Sequence, residues 1–151
     1  MLKAKDIMTT DVTTVKPSTT VEELANLLIK HKISGVPVVN DSGDLVGIVT
    51  ENDLISQSKR LHIPTVMRLF DAYMLLERPD KIEHEIKKMA ATTVDEICTK
   101  KIITVTEDTP VEEIATIMSE KKVHLIPVVD GKKICGIIGK MDLIKGITKI
   151  G

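Results

Sequence analysis

Apolar residues along this chain switch between an extended and a helical period, and they do so twice. Val12-Thr13-Thr14-Val15 and Ile102-Ile103-Thr104-Val105 are short β-branched runs that predict strands. A polar break follows each. Beyond it, Val21, Leu24, Ala25, Leu27 and Leu28, and then Val111, Ile114, Ala115, Ile117 and Met118, fall at the spacing of a helix that buries one stripe. Thr19 with Glu22, and Thr109 with Glu112, have the spacing of a capping box, in which hydroxyl and carboxylate satisfy the first orphan amides. Pro110 is then expected at the first helical position, where no amide donor is needed. Two further extended pairs follow: Val36-Pro37-Val38-Val39 with Leu45-Val46-Gly47-Ile48-Val49, and Ile126-Pro127-Val128-Val129 with Ile134-Cys135-Gly136-Ile137-Ile138. The turn residues Asn40 to Asp44 and Asp130 to Lys133 predict a hairpin in each pair, and second helices are expected to start near Glu51 and Lys140.

The two halves are copies. Shifting the sequence by 90 residues aligns Ile7 to Asn40 with Ile97 to Asp130, and a shift of 89 aligns Leu45 to Ile55 with Ile134 to Ile144, with about 18 identities. Each copy reads strand, helix, strand, strand, helix, and so small a sheet is marginal alone. Two copies packed through their sheets would bury what one cannot. The expected organisation is a first repeat over 1–60, a largely helical connector over 61–94 and a second repeat over 95–151. Within the connector, Ile82, Ile86 and Met89 carry a helical stripe among charges, whereas the run Thr65 to Leu76 fits a helix or an irregular strand equally well.

Composition narrows the function. The chain has 151 residues, 42% hydrophobic and 28% charged, which excludes disorder. Its 21 basic and 22 acidic residues leave a formal charge of −1, so no positive field draws it to nucleic acid or to anionic membranes. Phe70 and Tyr73 are the only aromatics, which removes base-stacking platforms. No apolar run approaches the roughly 18 residues of a membrane span. With no signal peptide after Met1, and with Cys98 and Cys135 far apart, a cytoplasmic protein with two buried free thiols is expected.

Most motifs of catalysis are missing. Gly136 and Gly139 lack the flanking glycines of a dinucleotide fingerprint, and no phosphate loop occurs. His84-Glu85 begins like a zinc-protease helix, but Lys88 stands where the second histidine is needed. His31, His62 and His124 are isolated, which favours surface or packing roles over metal ligation, and Asp41 to Asp44 reads as a plain turn rather than a calcium loop. No nucleophile has a recognisable activating partner, so no enzyme activity is expected.

One constellation remains. Gly47-Ile48-Val49-Thr50-Glu51-Asn52-Asp53 and Gly136-Ile137-Ile138-Gly139-Lys140-Met141-Asp142 run from strand to helix at matched positions and place an aspartate in each first helical turn. Asp53 and Asp142 could simply favour the helix dipole, with Thr50 as a cap. Alternatively, such a carboxylate can accept both hydroxyls of a ribose, with the hydroxyl and helix amides holding a phosphate.

These motifs, together with Ile33-Ser34-Gly35-Val36-Pro37-Val38-Val39 and Val123-His124-Leu125-Ile126-Pro127-Val128-Val129, resemble the tandem CBS-domain family, or Bateman module, over about residues 5–60 and 95–148. The resemblance implies an α/β (α+β) fold of two β-α-β-β-α repeats packed about a pseudo-twofold axis, and two clefts between them. Such clefts receive adenosine compounds: AMP, ADP, ATP or S-adenosylmethionine. Carried over by position, Asp53 and Asp142 hold ribose, and Thr50 touches phosphate or ribose. Ile33, Ser34, Gly35, Val36 and Pro37, with Val123, His124, Leu125, Ile126 and Pro127, supply backbone and apolar walls for adenine. Thr19 and Thr109 lie near the cleft in the same pattern.

The sites are not expected to be equal. Gly139 stands where the family usually has a hydroxyl, while Lys140 and His124 offer positive charge or donors in compensation. Glu51 disfavours a polyphosphate at the first site. The expected protein is a homodimeric, non-catalytic sensor that needs no cofactor, binds an adenosine ligand and signals to a protein effector. The alternative is a dimerising scaffold with nothing bound.

Overall fold

The structure, a computed structural model, describes residues 1–60 and 92–150. The run Thr65 to Leu76, most of the expected connector, His62 and the pair His84-Glu85 lie outside them. In chain order the elements are α1 (Ala4–Ile7), α2 (Val21–His31), β1 (Gly35–Val39), β2 (Leu45–Thr50), α3 (Glu51–Arg60), α4 (Val94–Ile97), α5 (Val111–Lys121), β3 (Leu125–Asp130), β4 (Lys133–Gly139) and α6 (Lys140–Ile150). This is the mixed helix-and-strand fold expected, with two two-stranded sheets, β1-β2 and β3-β4. Among the described residues no helix is long and apolar enough to cross a membrane.

The β-branched run that opens each repeat is not a full strand. It makes one parallel bridge, Val15 to Val38 in the first copy and Val105 to Val128 in the second. The Val15 and Val105 amides donate to the Pro37 and Pro127 carbonyls, both at 3.1 Å. Extending either ladder two residues upstream would need an N–H from Pro37 or Pro127, and proline has none. The same geometry explains why proline is tolerated in strands this buried, since its nitrogen faces the short edge.

The helix starts also differ from expectation. Thr20, not Thr19, is the N-cap of α2, and its hydroxyl accepts the Glu23 amide at 3.1 Å. The Thr19 hydroxyl accepts the Lys16 amide, and that of Thr109 the Thr106 amide, each at 3.0 Å. Pro110 is the N-cap of α5 rather than its first residue. At Thr19 and Thr109 the chain is still in a turn, and their carbonyls accept the amides of Val94 at 2.7 Å and Ala4 at 2.8 Å.

Those last bonds reveal how the copies are interleaved. Of the described residues, 1–14, 39–47 and 100–150 form one compact unit, and 15–38, 48–60 and 92–99 form another. In the first unit, α1 lies against the second repeat: Lys5 donates to Glu107 at 3.0 Å, Val111 donates to Leu2 at 3.0 Å, and Ala4 is fully buried. Its core joins Ala4 to Val105, Ile114, Met118, Ile126, Val128 and Ile138. α1 and α6 meet so closely that a Cβ on Gly146 would lie 2.8 Å from Ile7 Cγ2. In the second unit α4 takes the matching place: Asp95 donates to Pro17 at 3.0 Å, Val21 donates to Thr92 at 2.8 Å, and Val94 is buried with Val15, Val21, Leu24, Val36, Val38 and Val49.

Both hairpins turn through a glycine with positive φ, Gly43 at 83° and Gly131 at 63°. Asn40 Oδ1 braces the longer turn by accepting the amides of Ser42 at 3.0 Å and Asp44 at 2.9 Å. The β3-β4 register shifts between Val128, opposite Gly136, and Val129, opposite Ile134, so Cys135 is the extra residue of a bulge. Neither Cys98 nor Cys135 forms a disulfide, and both are only half-buried, a correction to the expectation of buried thiols. The bulge turns Cys135 partly outward, where partial burial and then Glu107 push its thiol pKa above the usual value.

Candidate functional site

Each repeat places an aspartate where a strand runs directly into a helix. In the second unit, β2 ends at Thr50 and α3 begins at Glu51 with no intervening loop. Asp53, three residues on, reaches back so that its Oδ2 accepts the Thr50 amide at 2.8 Å and lies 3.4 Å from the Thr50 hydroxyl. The Glu51 amide donates to the Ser34 carbonyl at 2.7 Å, which draws the segment entering β1 over the start of the helix. A left-handed residue, Lys32 at φ 54°, ends α2 and delivers Ile33 and Ser34 to this place. Thr99 lies alongside, with its amide and carbonyl paired to Ile48 at 2.9 and 3.0 Å.

The first unit repeats the arrangement with substitutions. Asp142 Oδ2 accepts the Gly139 amide at 2.9 Å. Where the first repeat has Thr50, this position has no side chain, but a different hydroxyl approaches. Thr9 Oγ1 lies 3.3 Å from Asp142 Oδ1 and 3.4 Å from Oδ2. A two-bond bridge to Ile137, at 2.8 and 2.9 Å, holds Thr9 there. Gly136 permits that approach, because a Cβ on it would meet Met8 Sδ at 2.6 Å and the Thr9 carbonyl at 3.0 Å. Leu125 pairs across the sheet with Gly139, and Lys122 at φ 55° turns the chain into β3. Lys140 and His124 are both exposed.

The structure therefore brings Ser34, Thr50 and Asp53 together in one unit, and Leu125, Gly139, Asp142 and Thr9 in the other. Val36, Pro37, Ile126 and Pro127 are buried, so their side chains serve the core, whereas Ile33, Val123 and Leu125 are partly exposed. The hydrogen bonds described for Thr19 and Thr109 join their hydroxyls to the turns before α2 and α5 and their carbonyls to Val94 and Ala4, not to the aspartates. Thr9 and Thr99 escape a reading of local motifs because each lies far in sequence from the strand residue it joins, Ile137 and Ile48 respectively. Their signal lies in the repeat itself, which aligns them with each other.

Chemically, each carboxylate is fixed by an amide at a helix start, as a first-turn acid should be. Asp53 Oδ1 accepts no hydrogen bond among the described residues, so it can accept a hydroxyl from a ligand. Glu51 and Lys140, at matched positions, give the two places opposite local charge. Among the described residues no group of three His, Cys, Asp or Glu side chains could hold a metal ion.

Comparison with known proteins agrees with this repeated geometry. The model of the CBS domain matches residues 4–60 and 94–149. An uncharacterized protein of Methanocaldococcus jannaschii is 29% identical, the match covering 95% of this chain and 89% of that one. The chloroplastic CBS domain-containing protein CBSX2 of Arabidopsis thaliana is 28% identical over 90% of this chain, which spans 58% of that protein's length. A crystal structure of CBSX2 in complex with AMP superposes with a TM-score of 0.76 at 26% identity, covering 99% of this chain and 98% of that one. The CBS domain pair of protein MJ0100, in complex with 5′-methylthioadenosine and S-adenosyl-L-methionine, superposes with a TM-score of 0.73 at 27% identity, covering 100% and 99%. With a CBS domain matched in each of its two repeats, the chain belongs to the CBS-domain family.

Proposed function

We propose that this chain is a non-catalytic regulatory module that binds an adenosine-containing ligand through Asp53 and, in a second and different site, through Asp142. The observation that carries the proposal is the pair of fixed carboxylates at matched strand-to-helix junctions, each beside a hydroxyl. A ribose diol fits such a group because one carboxylate accepts two hydroxyls. Structural neighbours in complex with AMP, and with 5′-methylthioadenosine and S-adenosylmethionine, support adenosine as the ligand's common part. Ile33 and Ser34, and Val123 to Leu125, flank the adenine, and no cofactor is required.

Signalling then proceeds by mass action, since a ligand that binds one packing of the repeats more tightly than another shifts the population between them. The output is read by a protein effector, or by a second copy of this chain. Ile55 on α3 and Ile144 on α6 occupy matched positions of the repeat and are exposed, as are Met141 and Ile147. These residues suit the apolar contact of a homodimer. Sedimentation equilibrium should find a dimer that Ile144→Asp weakens, and a monomer at all concentrations would remove this part of the proposal.

One observation favours the rival reading, a scaffold with no ligand: an N-cap bond already accounts for both aspartates. Thermal unfolding against AMP, ADP, ATP, S-adenosylmethionine and GTP separates the two. A ligand at 100 times its dissociation constant adds about 2.7 kcal/mol to the folded state. The proposal expects such a shift with an adenosine compound and its loss in Asp53→Ala. Equal unfolding with and without every compound, in protein freed of carried-over nucleotide, would leave the scaffold.

A further inference from the structure

Gly139 poses a problem that the backbone does not explain. Its φ is not positive, and a Cβ built on it would meet only Asp142 Oδ2 at 3.8 Å and Leu125 Cδ1 at 3.9 Å, ordinary contact distances. A side chain would fit. Nothing steric therefore forbids at 139 the hydroxyl that Thr50 supplies in the first repeat. Yet the carboxylate of Asp142 does not lack a hydroxyl, because Thr9 brings one to 3.3 and 3.4 Å of its oxygens, as close as the Thr50 hydroxyl is to Asp53 at 3.4 Å.

We infer that Thr9, from the segment that opens the chain, takes over at the Asp142 site the role that Thr50 has at the Asp53 site, and is a ligand-positioning residue there. The inference rests on the adenosine-binding reading above. Two features make Thr9 suited to the role. Its backbone is locked to Ile137 through both amide and carbonyl, so its hydroxyl is aimed before any ligand arrives. The glycine at 136 exists where the Met8-Thr9 segment needs to come within contact distance of β4, which places the segment against the sheet rather than loosely over it.

The origin of the hydroxyl also separates the two sites in behaviour. Thr50 is part of the strand that leads to its own aspartate, so its hydroxyl moves with the site. Thr9 is distant from Asp142 in sequence and belongs to the strap carrying α1, which lies against the second repeat through the Ala4 to Thr109 and Lys5 to Glu107 bonds. A ribose that displaces or shares the Thr9 hydroxyl acts directly on that strap. At Asp53 the matching segment carries Thr99, paired to Ile48, but the described hydrogen bonds of the carboxylate go to Thr50 and not to Thr99.

The test isolates the second site in an Asp53→Ala background and titrates the protein with AMP and with 5′-methylthioadenosine by calorimetry. A hydrogen bond to a charged group is worth enough that adding Thr9→Val should weaken binding roughly tenfold or more. Thr9→Ser should restore it, and so should Gly139→Thr in the Thr9→Val protein, because the hydroxyl then arrives from the position that Thr50 uses. Valine keeps the shape and both backbone bonds of Thr9, and thermal unfolding without ligand checks that the fold is intact. If Thr9→Val binds within threefold of its parent, or if neither the serine nor the Gly139→Thr variant recovers affinity, the role of Thr9 is overturned while adenosine binding stands. Loss of all binding in Asp53→Ala would overturn it as well, by removing the Asp142 site. If the unmodified chain binds neither compound, the failure belongs to the adenosine reading itself.

Discussion

Lys32 and Lys122 hold the left-handed conformation at the ends of α2 and α5, with φ of 54° and 55°. A non-glycine residue there costs about 1–2 kcal/mol, part of which glycine would give back through its greater freedom in the unfolded chain. Lys122→Gly should therefore stabilise the protein by about 0.5–1 kcal/mol in urea unfolding. The glycines of β4 make a sharper pair of predictions. Gly136→Ala forces Met8 and the Thr9 carbonyl apart and should cost about 1–3 kcal/mol, whereas Gly139→Ala meets nothing closer than 3.8 Å and should change stability by less than about 0.5 kcal/mol. Sequence alone does not distinguish these glycines, because the difference comes from a segment more than a hundred residues upstream. Local chemistry was more legible. The strand-to-helix junctions at Glu51 and Lys140 and the positive-φ turn glycines fall where turn and capping preferences put them. Thr19 and Thr20 satisfy the same capping pattern in sequence, and the structure caps α2 with Thr20 while the Thr19 hydroxyl accepts the Lys16 amide.

At the level of elements, the matched apolar stripes made α2 and α5 readable, and the turn residues made both hairpins readable. What periodicity could not convey is the exchange of leading turns, since Ala4 and Val94 are single buried residues in helices of only four. The β-branched runs that open each repeat stop at a single bridge for a related reason: β-branched residues favour extension, but a ladder needs donors, and Pro37 and Pro127 withhold them. The cap assignment carries its own test. Thr20→Ala removes the hydroxyl that accepts the Glu23 amide and should destabilise α2 by about 0.5–2 kcal/mol in chemical denaturation. Thr20→Ser should recover most of that loss. An unchanged midpoint in Thr20→Ala would return the cap to Thr19.

At the scale of the molecule, an ion pair within the first unit links the two hairpins, which are far apart in the chain. Lys133 Nζ lies 2.8 Å from Asp44 Oδ1 and also donates to the Ser42 carbonyl, while the Leu45 amide donates to Lys132 at 2.8 Å, so the tips of the two hairpins are joined. The Lys133 hydrogen bond holds the Asp44 carboxyl below its ordinary pKa of 3.8. A depressed acid of this kind adds stability above that ordinary value and loses it as the pH falls through the lower, folded value. Acid unfolding should therefore steepen below about pH 4. Lys133→Ala should lower Tm at neutral pH and flatten this acid limb. High salt should have a similar, weaker effect because the pair is partly exposed. An identical acid limb in Lys133→Ala would remove the pair from the account.

The central claim is that two carboxylates fixed at matched helix starts are used for ligand and not for capping alone. Calorimetric titration of the unmodified chain with AMP, set beside Asp53→Ala and Asp142→Ala, tests it most directly. The account predicts saturable binding whose stoichiometry or affinity falls in each variant, more steeply in Asp53→Ala, while both variants remain folded by circular dichroism. Binding that persists unchanged in both variants would contradict it.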